Sequence, residues 1–336
     1  MQPCDGGTAL RSRIAFWTRG YDDRYTRPMR EKAEWLVARA AFPFAIATSV
    51  GGAIVWMNRG GAPDSVAGVV IVASYAFVAL LERLVPLHPE WSRDKGDRKA
   101  DIGLGITNAL LNGIVQPLFI VAAIALATWL SAEYGTRLWP DEWPLLLQLV
   151  PALLLGELVE YSVHRTWHEV PALWRIHATH HSANRLYWFN ALRFHPIDIL
   201  AVGPGKLVPL VMLGADGPVI ALVGIFSAVH GVYQHANIPC RLGPLNWVFS
   251  MAELHRWHHS PNVEEANNNY GGNLIFWDVV FGTRFLPKDR EPPIAIGIGD
   301  LPNFPQGYAS LIASPFRWKK LVAQSGPSSH AAVSNE

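Results

Sequence analysis

Histidines that recur at three- and four-residue spacings restrict the fold of this chain more than any other feature. Residues 157–195 read ELVEYSVHRTWHEVPALWRIHATHHSANRLYWFNALRFH and hold six of the thirteen histidines. A second HxxHH motif follows about 75 residues later, preceded by two more histidines. Residues three or four apart on a helix share one face, so each cluster can direct several imidazoles at one point. The clustered residues are His164, His168, His177, His180, His181, His230, His235, His255, His258 and His259.

Ten imidazoles in this pattern are enough for two metal ions. Neutral imidazole binds Zn, Cu, Fe and Ni, so the ligand type alone does not select the metal. A single catalytic zinc needs only three protein ligands, which would leave most of the histidines without a role. A di-iron carboxylate bundle would carry Glu-x-x-His pairs, and this sequence has none. We therefore predict an all-histidine site for two metal ions, and we place His88 and His330, which lie outside the clusters, at the surface.

Composition indicates an integral membrane protein. Half of the residues are hydrophobic, and only 16% are charged, where soluble domains average about 25%. A net charge of +1 implies no general attraction to nucleic acid. Cys4 and Cys240 form neither a disulfide framework nor a CxxC metal site, and the N-terminus lacks the apolar run of a secretory signal peptide.

Four apolar segments each approach the length of about 20 residues that a spanning helix needs. They cover residues 35–57, 65–85, 104–130 and 143–163, and the last is expected to end one residue before His164. Two shorter runs, 197–213 and 218–233, predict either a re-entrant hairpin or two short spans. The predicted domains are a cytoplasmic lead-in (1–34), transmembrane helices (35–146), a catalytic domain (147–287) and a partly disordered C-terminal tail (288–336).

Basic residues predict the orientation of these segments. The lead-in and the loop at 88–103 carry seven and four Lys/Arg, whereas the alternate loops at 58–64 and 131–142 carry one each. The positive-inside rule then places the lead-in and the 88–103 loop in the cytoplasm. The fourth helix would descend to the same side, where the histidine clusters begin.

The motifs HRTWH, HATHH, HGVYQHANI and HRWHH, followed by NNNYGGNLIFWDVVFGTRF, resemble the fatty acid hydroxylase/sterol desaturase superfamily. Its members are membrane-embedded, non-haem di-iron oxygenases. The resemblance covers about residues 147–287, in the order and spacing of the family. It implies that the ten clustered histidines bind two iron ions (Fe²⁺/Fe³⁺), with O₂ as co-substrate. The expected fold is all-α, an integral membrane helical bundle with a cytoplasmic, histidine-rich helical cap that holds the two metals.

Two further residues match the family pattern, and we treat both as candidate catalytic residues. Glu157 stands seven residues ahead of the first histidine, and His195 belongs to an Arg-x-His-Pro element that begins at Arg193. Carboxylates inside a membrane are costly and usually functional. Glu157 is expected to hold a ligating histidine by its second ring nitrogen, with an ordinary ion pair to an arginine as the alternative. His195 either supports the site or has a purely structural role.

The expected reaction is hydroxylation of a lipid C–H bond with O₂ and external electrons. The resemblance implies a separate electron donor, such as cytochrome b5 or a ferredoxin, and the chain has no GxGxxG, CxxCH or iron–sulfur cysteine pattern of its own. Desaturation at the same site is the nearest alternative, and metal transport is a more distant one. The lipid is left open: a fatty acyl chain, a sterol, an alkylglycerol, a carotenoid or an aminolipid headgroup would each fit.

We predict that both termini and every histidine cluster face the cytoplasm. Reporter fusions at position 20, in the loop at 135 and after residue 290 test this topology in cells. The fusions at 20 and 290 should report the cytoplasm, and the fusion at 135 should report the opposite side. A cytoplasmic signal at 135 would contradict the four-span scheme.

Overall fold

The regular structure of this protein is helical throughout the part that is described. The structure, a computed structural model, describes residues 23–134 and 138–325. An isolated bridge pairs Phe249 with Leu274, and these residues form no strand. The α-helices are α1 Asp23–Asn58, α2 Pro63–Leu84, α3 Arg98–Tyr134, α4 Leu145–Glu169, α5 Pro171–His181, α6 Pro196–Leu213, α7 Gly217–His235, α8 Ala252–His258, α9 Val263–Ala266, α10 Phe276–Phe281, α11 Tyr308–Ala313 and α12 Trp318–Ser325. Short 3₁₀ helices form at Pro89–Ser92, Trp188–Leu192, Gly243–Trp247 and Pro315–Arg317.

Six of these helices, α1 to α4, α6 and α7, are long and apolar enough to cross a membrane. The two runs that the sequence left open are full helices of 18 and 19 residues, and α6 continues through Pro209 without a break. The prediction that the fourth segment ends at Val163 is wrong. Helix α4 extends to Glu169 because no helix-breaking residue occurs until Pro171, which disfavours a helical conformation at Val170.

Helix α3 carries an apolar face that packs against no part of the described chain. Ile106, Leu110, Ile114 and Leu118 follow each other at four-residue spacing and are 56%, 64%, 65% and 65% exposed. Such a continuous stripe in contact with water would strongly favour aggregation, whereas lipid tails solvate it. With the six long apolar helices, this surface identifies an integral membrane protein.

Helix α7 lies at the centre of the bundle. It packs against α1, α2 and α4, and Leu222, Ile225 and Val229 on it are fully buried. A helix that is apolar on every side is stable only when its neighbours cover it completely. This central position delivers the C-terminal end of α7, with His235, into the middle of the histidine-rich region.

Two buried ion pairs attach the helical cap, residues 170–195 and 236–325, to the start of α3. Arg185 donates to both carboxylate oxygens of Asp97, at 2.8 and 3.0 Å. Arg193 donates to Asp101 at 2.5 Å, and all four of these side chains are buried. Tyr187 donates to the second oxygen of Asp101 at 2.7 Å. The 88–103 loop, whose basic residues predicted the orientation of the helices, therefore anchors the cap through its acidic residues Asp97 and Asp101.

The last residues of the described chain belong to the cap. Gln306 accepts a hydrogen bond from Arg193 at 2.8 Å. Helix α11 lies against α3, where the Tyr308 and Thr107 hydroxyls are 2.8 Å apart. In the predicted tail, residues 288–307 form no regular helix or strand, and helices begin at Tyr308 and continue to Ser325. The end of the tail (326–336), with His330, lies outside the described residues. At the other terminus α1 already begins at Asp23, and residues 1–22, with Cys4, lie outside the described range.

We predict that Arg193→Met destabilises the protein strongly, because it leaves the Asp101 carboxylate buried without its cation. Breaking such a pair typically costs about 3–5 kcal/mol. The double variant Asp101→Asn/Arg193→Met should recover part of this loss. The measurement is the thermal unfolding midpoint in detergent.

The control is Arg30→Ala, which removes the solvent-exposed pair of Arg30 with Glu34. An exposed pair of this kind contributes less than about 1 kcal/mol. Equal midpoints for Arg193→Met and Arg30→Ala would show that the cap does not depend on the buried pair.

Candidate metal centre

Four helices of this chain end or begin beside one another and so collect the histidines. His164 and His168 occupy the last two turns of α4. The chain reverses at Val170–Pro171, and α5 then carries the HATHH motif back past them. His235 ends α7, and the second HxxHH motif forms α8 together with the residue that caps it.

Nine of the ten clustered histidines form two adjacent groups. Within each group, one nitrogen from every ring lies within 4.8 Å of the others. The first group is His164, His168, His177, His181 and His258, and the second group is His180, His235, His255 and His259. Neither group is contiguous in sequence, because each of the two HxxHH motifs contributes histidines to both groups.

Hydrogen bonds determine which ring nitrogens face the centre of the first group. His164 Nδ1 lies 2.7 Å from the carbonyl oxygen of Tyr270, and His258 Nδ1 lies 2.8 Å from that of Asn268. A carbonyl oxygen can only accept, so both Nδ1 atoms carry the proton and both Nε2 atoms present a lone pair. These two Nε2 atoms are 3.1 Å apart. Two facing lone pairs repel each other unless a cation lies between them.

The second group repeats this arrangement. His180 Nδ1 and His235 Nδ1 each lie 3.2 Å from a carbonyl oxygen, of Arg193 and Gly231 respectively. Their Nε2 atoms are 3.3 Å apart. A metal about 2.1 Å from each ligating nitrogen places neighbouring nitrogens about 3.0–3.4 Å apart, which matches both groups. In the first group, Nε2 of His168 and of His181 is buried and has no hydrogen-bond partner.

The electrostatic environment keeps five of the histidine rings of the cap neutral. Burial, followed by the charge of neighbouring imidazoles, lowers the pKa well below its usual range in His180, His181, His255, His258 and His259. Neutral imidazole is the form that binds metals. Near pH 7 these five rings can therefore bind cations without first losing protons.

Asp198 holds the ring of His177 in place and was not among the residues predicted for the site. Its carboxylate lies 2.6 Å from Nδ1 of His177, and both side chains are buried. A carboxylate on the second nitrogen of a ligating histidine fixes the ring and raises its basicity. One feature of the sequence does indicate it: Asp198 is an acidic residue in the first turn of an apolar helix, three residues after His195. Like Glu157, it is a carboxylate in an apolar segment, and such carboxylates are usually functional.

Glu157 has a different role from the one expected, because it forms no hydrogen bond with any histidine of the described residues. It accepts hydrogen bonds from the backbone N–H groups of Asn273 (2.9 Å) and Leu274 (3.2 Å) and from the side-chain amide of Asn273. It thereby anchors the supporting loop, residues 267–275. That loop supplies the carbonyl oxygens for His164 and His258, and its Asn267 side chain lies 3.1 Å from Nδ1 of His168.

A buried lysine completes this support. Lys206 lies 2.5 Å from Glu160 and 3.5 Å from Glu157. The ion pair considered as an alternative therefore exists, but its cation is Lys206 of α6 and not an arginine. This ion pair joins α4 to α6 one helical turn before His164.

His195 uses both of its ring nitrogens within the fold. Nδ1 accepts from the backbone N–H of Ile197 at 3.2 Å, and Nε2 donates to the carbonyl oxygen of Ile312 at 3.1 Å. It caps the N-terminus of α6 and ties that helix to α11. Its position thus supports the structural alternative, although the turn that it caps presents Asp198.

The structure departs from the sequence prediction at His230, which lies apart from both groups. It precedes His235 by five residues on α7, and five residues rotate a helix about 140° beyond a full turn. Its ring instead packs among Phe42 (5.2 Å between ring centroids), Phe226 (6.0 Å) and Phe249 (6.4 Å). His88, expected at the surface, is half-buried against Trp91.

Three comparisons relate this chain to known proteins. The family model "Fatty acid hydroxylase" matches residues 149–283. The ornithine lipid hydroxylase OlsE of Rhizobium tropici is 37% identical over 257 residues, which span 75% of this chain and 76% of that protein. Human alkylglycerol monooxygenase is 28% identical over 56% of this chain and 40% of its own length. Chicken methylsterol monooxygenase 1 is 25% identical over 53% of this chain and 62% of its own length. No solved structure matches the chain significantly.

We predict that His164→Ala, His180→Ala and His258→Ala each lower the metal content of the purified protein, because each removes a nitrogen that faces the centre of a group. His230→Phe should retain full metal content, since its ring already packs among phenylalanines. The measurement is metal per protein by mass spectrometry. His88→Ala serves as the control for the loss of an isolated histidine.

Full metal content in the first three variants would refute the metal centre. Metal loss in His230→Phe, with the protein still folded, would show that this ring also takes part.

Proposed function

Since the chain belongs to the fatty acid hydroxylase family, we propose that it is a membrane-bound di-iron hydroxylase that inserts one oxygen atom of O₂ into a C–H bond of a lipid. The observation that supports this most strongly is the facing pair of imidazole lone pairs in each histidine group. Both pairs lie in a buried site at one end of a membrane bundle. A histidine-ligated metal oxygenase that acts on a membrane lipid needs such a metal site within reach of the bilayer.

The two groups would hold one iron ion each. The first offers five imidazole nitrogens and the second offers four. Bound iron would supply the reduction of O₂ and the oxidation of the C–H bond. Fewer ligands in the second group would leave more room there for O₂.

The chain's own residues orient the ligands and exclude water. Asp198 keeps His177 turned toward the first group, and the supporting loop does the same for His164 and His258. Glu157 holds that loop from inside the membrane bundle. Burial of nearly every ligand keeps bulk water away from the reacting atoms, which prevents side reactions.

We further propose that the site faces the cytoplasm, on the side that the basic residues favour. Electrons would arrive there from a separate protein such as cytochrome b5 or a ferredoxin. The lipid would enter from the bilayer. Metal transport fits less well, because transporter sites lie near the bilayer midplane on broken helices, whereas these histidines lie where α4 and α7 end.

An aminolipid is the substrate class that we place first. The relative that matches three quarters of this chain is named an ornithine lipid hydroxylase, at 37% identity. The relatives named for alkylglycerols and methylsterols match smaller shares of the chain at lower identity.

We predict that cells expressing the protein accumulate a lipid that is heavier by one oxygen atom, and that this atom derives from O₂. Mass spectrometry of lipid extracts after growth under ¹⁸O₂ measures both properties. His168→Ala, which loses a nitrogen of the first group, provides the matched inactive control. A product that lacks two hydrogen atoms and carries no label would instead establish a desaturase, and an unchanged lipid profile would contradict oxidation of any lipid of that host.

A further inference from the structure

A cavity of about 960 Å³ opens beside the first histidine group. His168 and His181 form part of its wall, next to the aromatic rings of Trp174 and Trp318. Ligand pockets commonly measure about 300–1,000 Å³. The cavity is therefore large enough for a small polar molecule or for the headgroup of a lipid, and it reaches the candidate metal ligands.

Two unpaired cations line this cavity. Arg175, on α5, is half-buried, and its Nε atom is buried with no hydrogen-bond partner. Lys319, on α12, lines the rim and forms no ion pair with any described residue. Arg175 forms no hydrogen bond or ion pair with any other described residue, and an anionic group of a ligand in the cavity would pair with its guanidinium group.

Two carboxylates line the same cavity. Glu264 of α9 and Asp300 contribute to its wall, and neither side chain pairs with a cation among the described residues. Groups of both signs are thus available within one pocket. They would complement a ligand that carries a carboxylate and an ammonium group together, whereas a purely anionic headgroup would meet repulsion from the two acids.

The position of the cavity favours a lipid over a soluble ligand. Trp318 and Val322 of α12 form part of its wall. Just before α12, Phe316 is 77% exposed, within the sequence PFRWKK. Exposed apolar and basic side chains together are typical of segments that lie at a membrane surface. Helix α11, which precedes this segment, contacts α3 at Thr107, a residue within the candidate membrane span of that helix.

We propose that this cavity binds the zwitterionic headgroup of a lipid, with Arg175 and Lys319 at its carboxylate and Glu264 and Asp300 at its ammonium group. The inference rests on the proposed lipid hydroxylase function and adds which part of the lipid approaches the metals. The headgroup, and not the far end of an acyl chain, lies beside His168. Ornithine acylated on one amine carries one carboxylate and one ammonium group, and so fits this description.

Binding of three matched probes tests the proposal without any turnover. They are N-dodecanoylornithine, its carboxamide (no carboxylate) and N-dodecanoylnorvaline (no side-chain ammonium). The metal-loaded full-length protein is titrated in lipid nanodiscs by calorimetry in the absence of reductant, and partition into empty nanodiscs is subtracted. Metal content is measured for each variant as the check on folding.

Arg175→Met should weaken N-dodecanoylornithine and N-dodecanoylnorvaline about tenfold or more, because a hydrogen bond to a charged group contributes about 1.5–3 kcal/mol, and it should leave the carboxamide unaffected. The double variant Glu264→Gln/Asp300→Asn should weaken the ornithine probe and its carboxamide but not the norvaline probe. Lys320→Met and Asp289→Asn, which alter charges outside the cavity, serve as matched controls and should bind all three probes as the wild type does.

The outcomes separate this proposal from the proposed function. If Arg175→Met binds all three probes like the Lys320→Met control, the cavity is not the headgroup site. If Arg175→Met weakens probe binding but Glu264→Gln/Asp300→Asn does not, the cavity recognises only an anionic group and the zwitterionic assignment is wrong. Probe-specific binding in a protein that never hydroxylates a lipid would support the cavity while refuting the reaction.

Discussion

The interaction on which the rest of this structure depends is the close approach of neutral imidazoles through their lone pairs. His164 and His258 face each other at 3.1 Å, and His180 and His235 face each other at 3.3 Å. In each ring the other nitrogen donates its proton to a backbone carbonyl, so no proton is left to bridge the pair. The fold therefore creates two places that only a cation can stabilise, and the surrounding helices and loop serve to hold these rings there.

Buried carboxylates fix the histidine-bearing elements relative to the membrane helices. Asp97 and Asp101 receive arginines of the cap, Asp198 holds His177, and Glu157 anchors the supporting loop. A charge in an apolar environment is costly unless it is paired, so each acid strongly constrains the element that it contacts. The consequence is a cap whose position relative to the membrane helices is well determined. A lipid that enters from the membrane would then meet the metals in a reproducible orientation.

Local patterns explain why much of the fold and site could be predicted. Spans of about 20 apolar residues, and spacings of three and four, act over one or two helical turns. They predicted the helical membrane bundle and ten converging histidines, of which the structure brings nine together. The errors have local causes as well. Helix α4 does not end at Val163, because the first helix-breaking residue after it is Pro171. His230 does not join His235, because five residues turn it to another face of α7.

The sequence by itself determined that this chain crosses a membrane, that it is helical, and that its imidazoles converge, because hydropathy and periodicity are properties of single segments. Only the tertiary structure decided which imidazoles share a centre. His177 and His180 belong to the same HxxHH motif, yet His177 lies in the first group and His180 lies in the second group with His235. It also paired Asp198 with His177, 21 positions away, and Glu157 with Asn273, 116 positions away. Contacts over such distances depend on how whole helices pack, which no local pattern encodes.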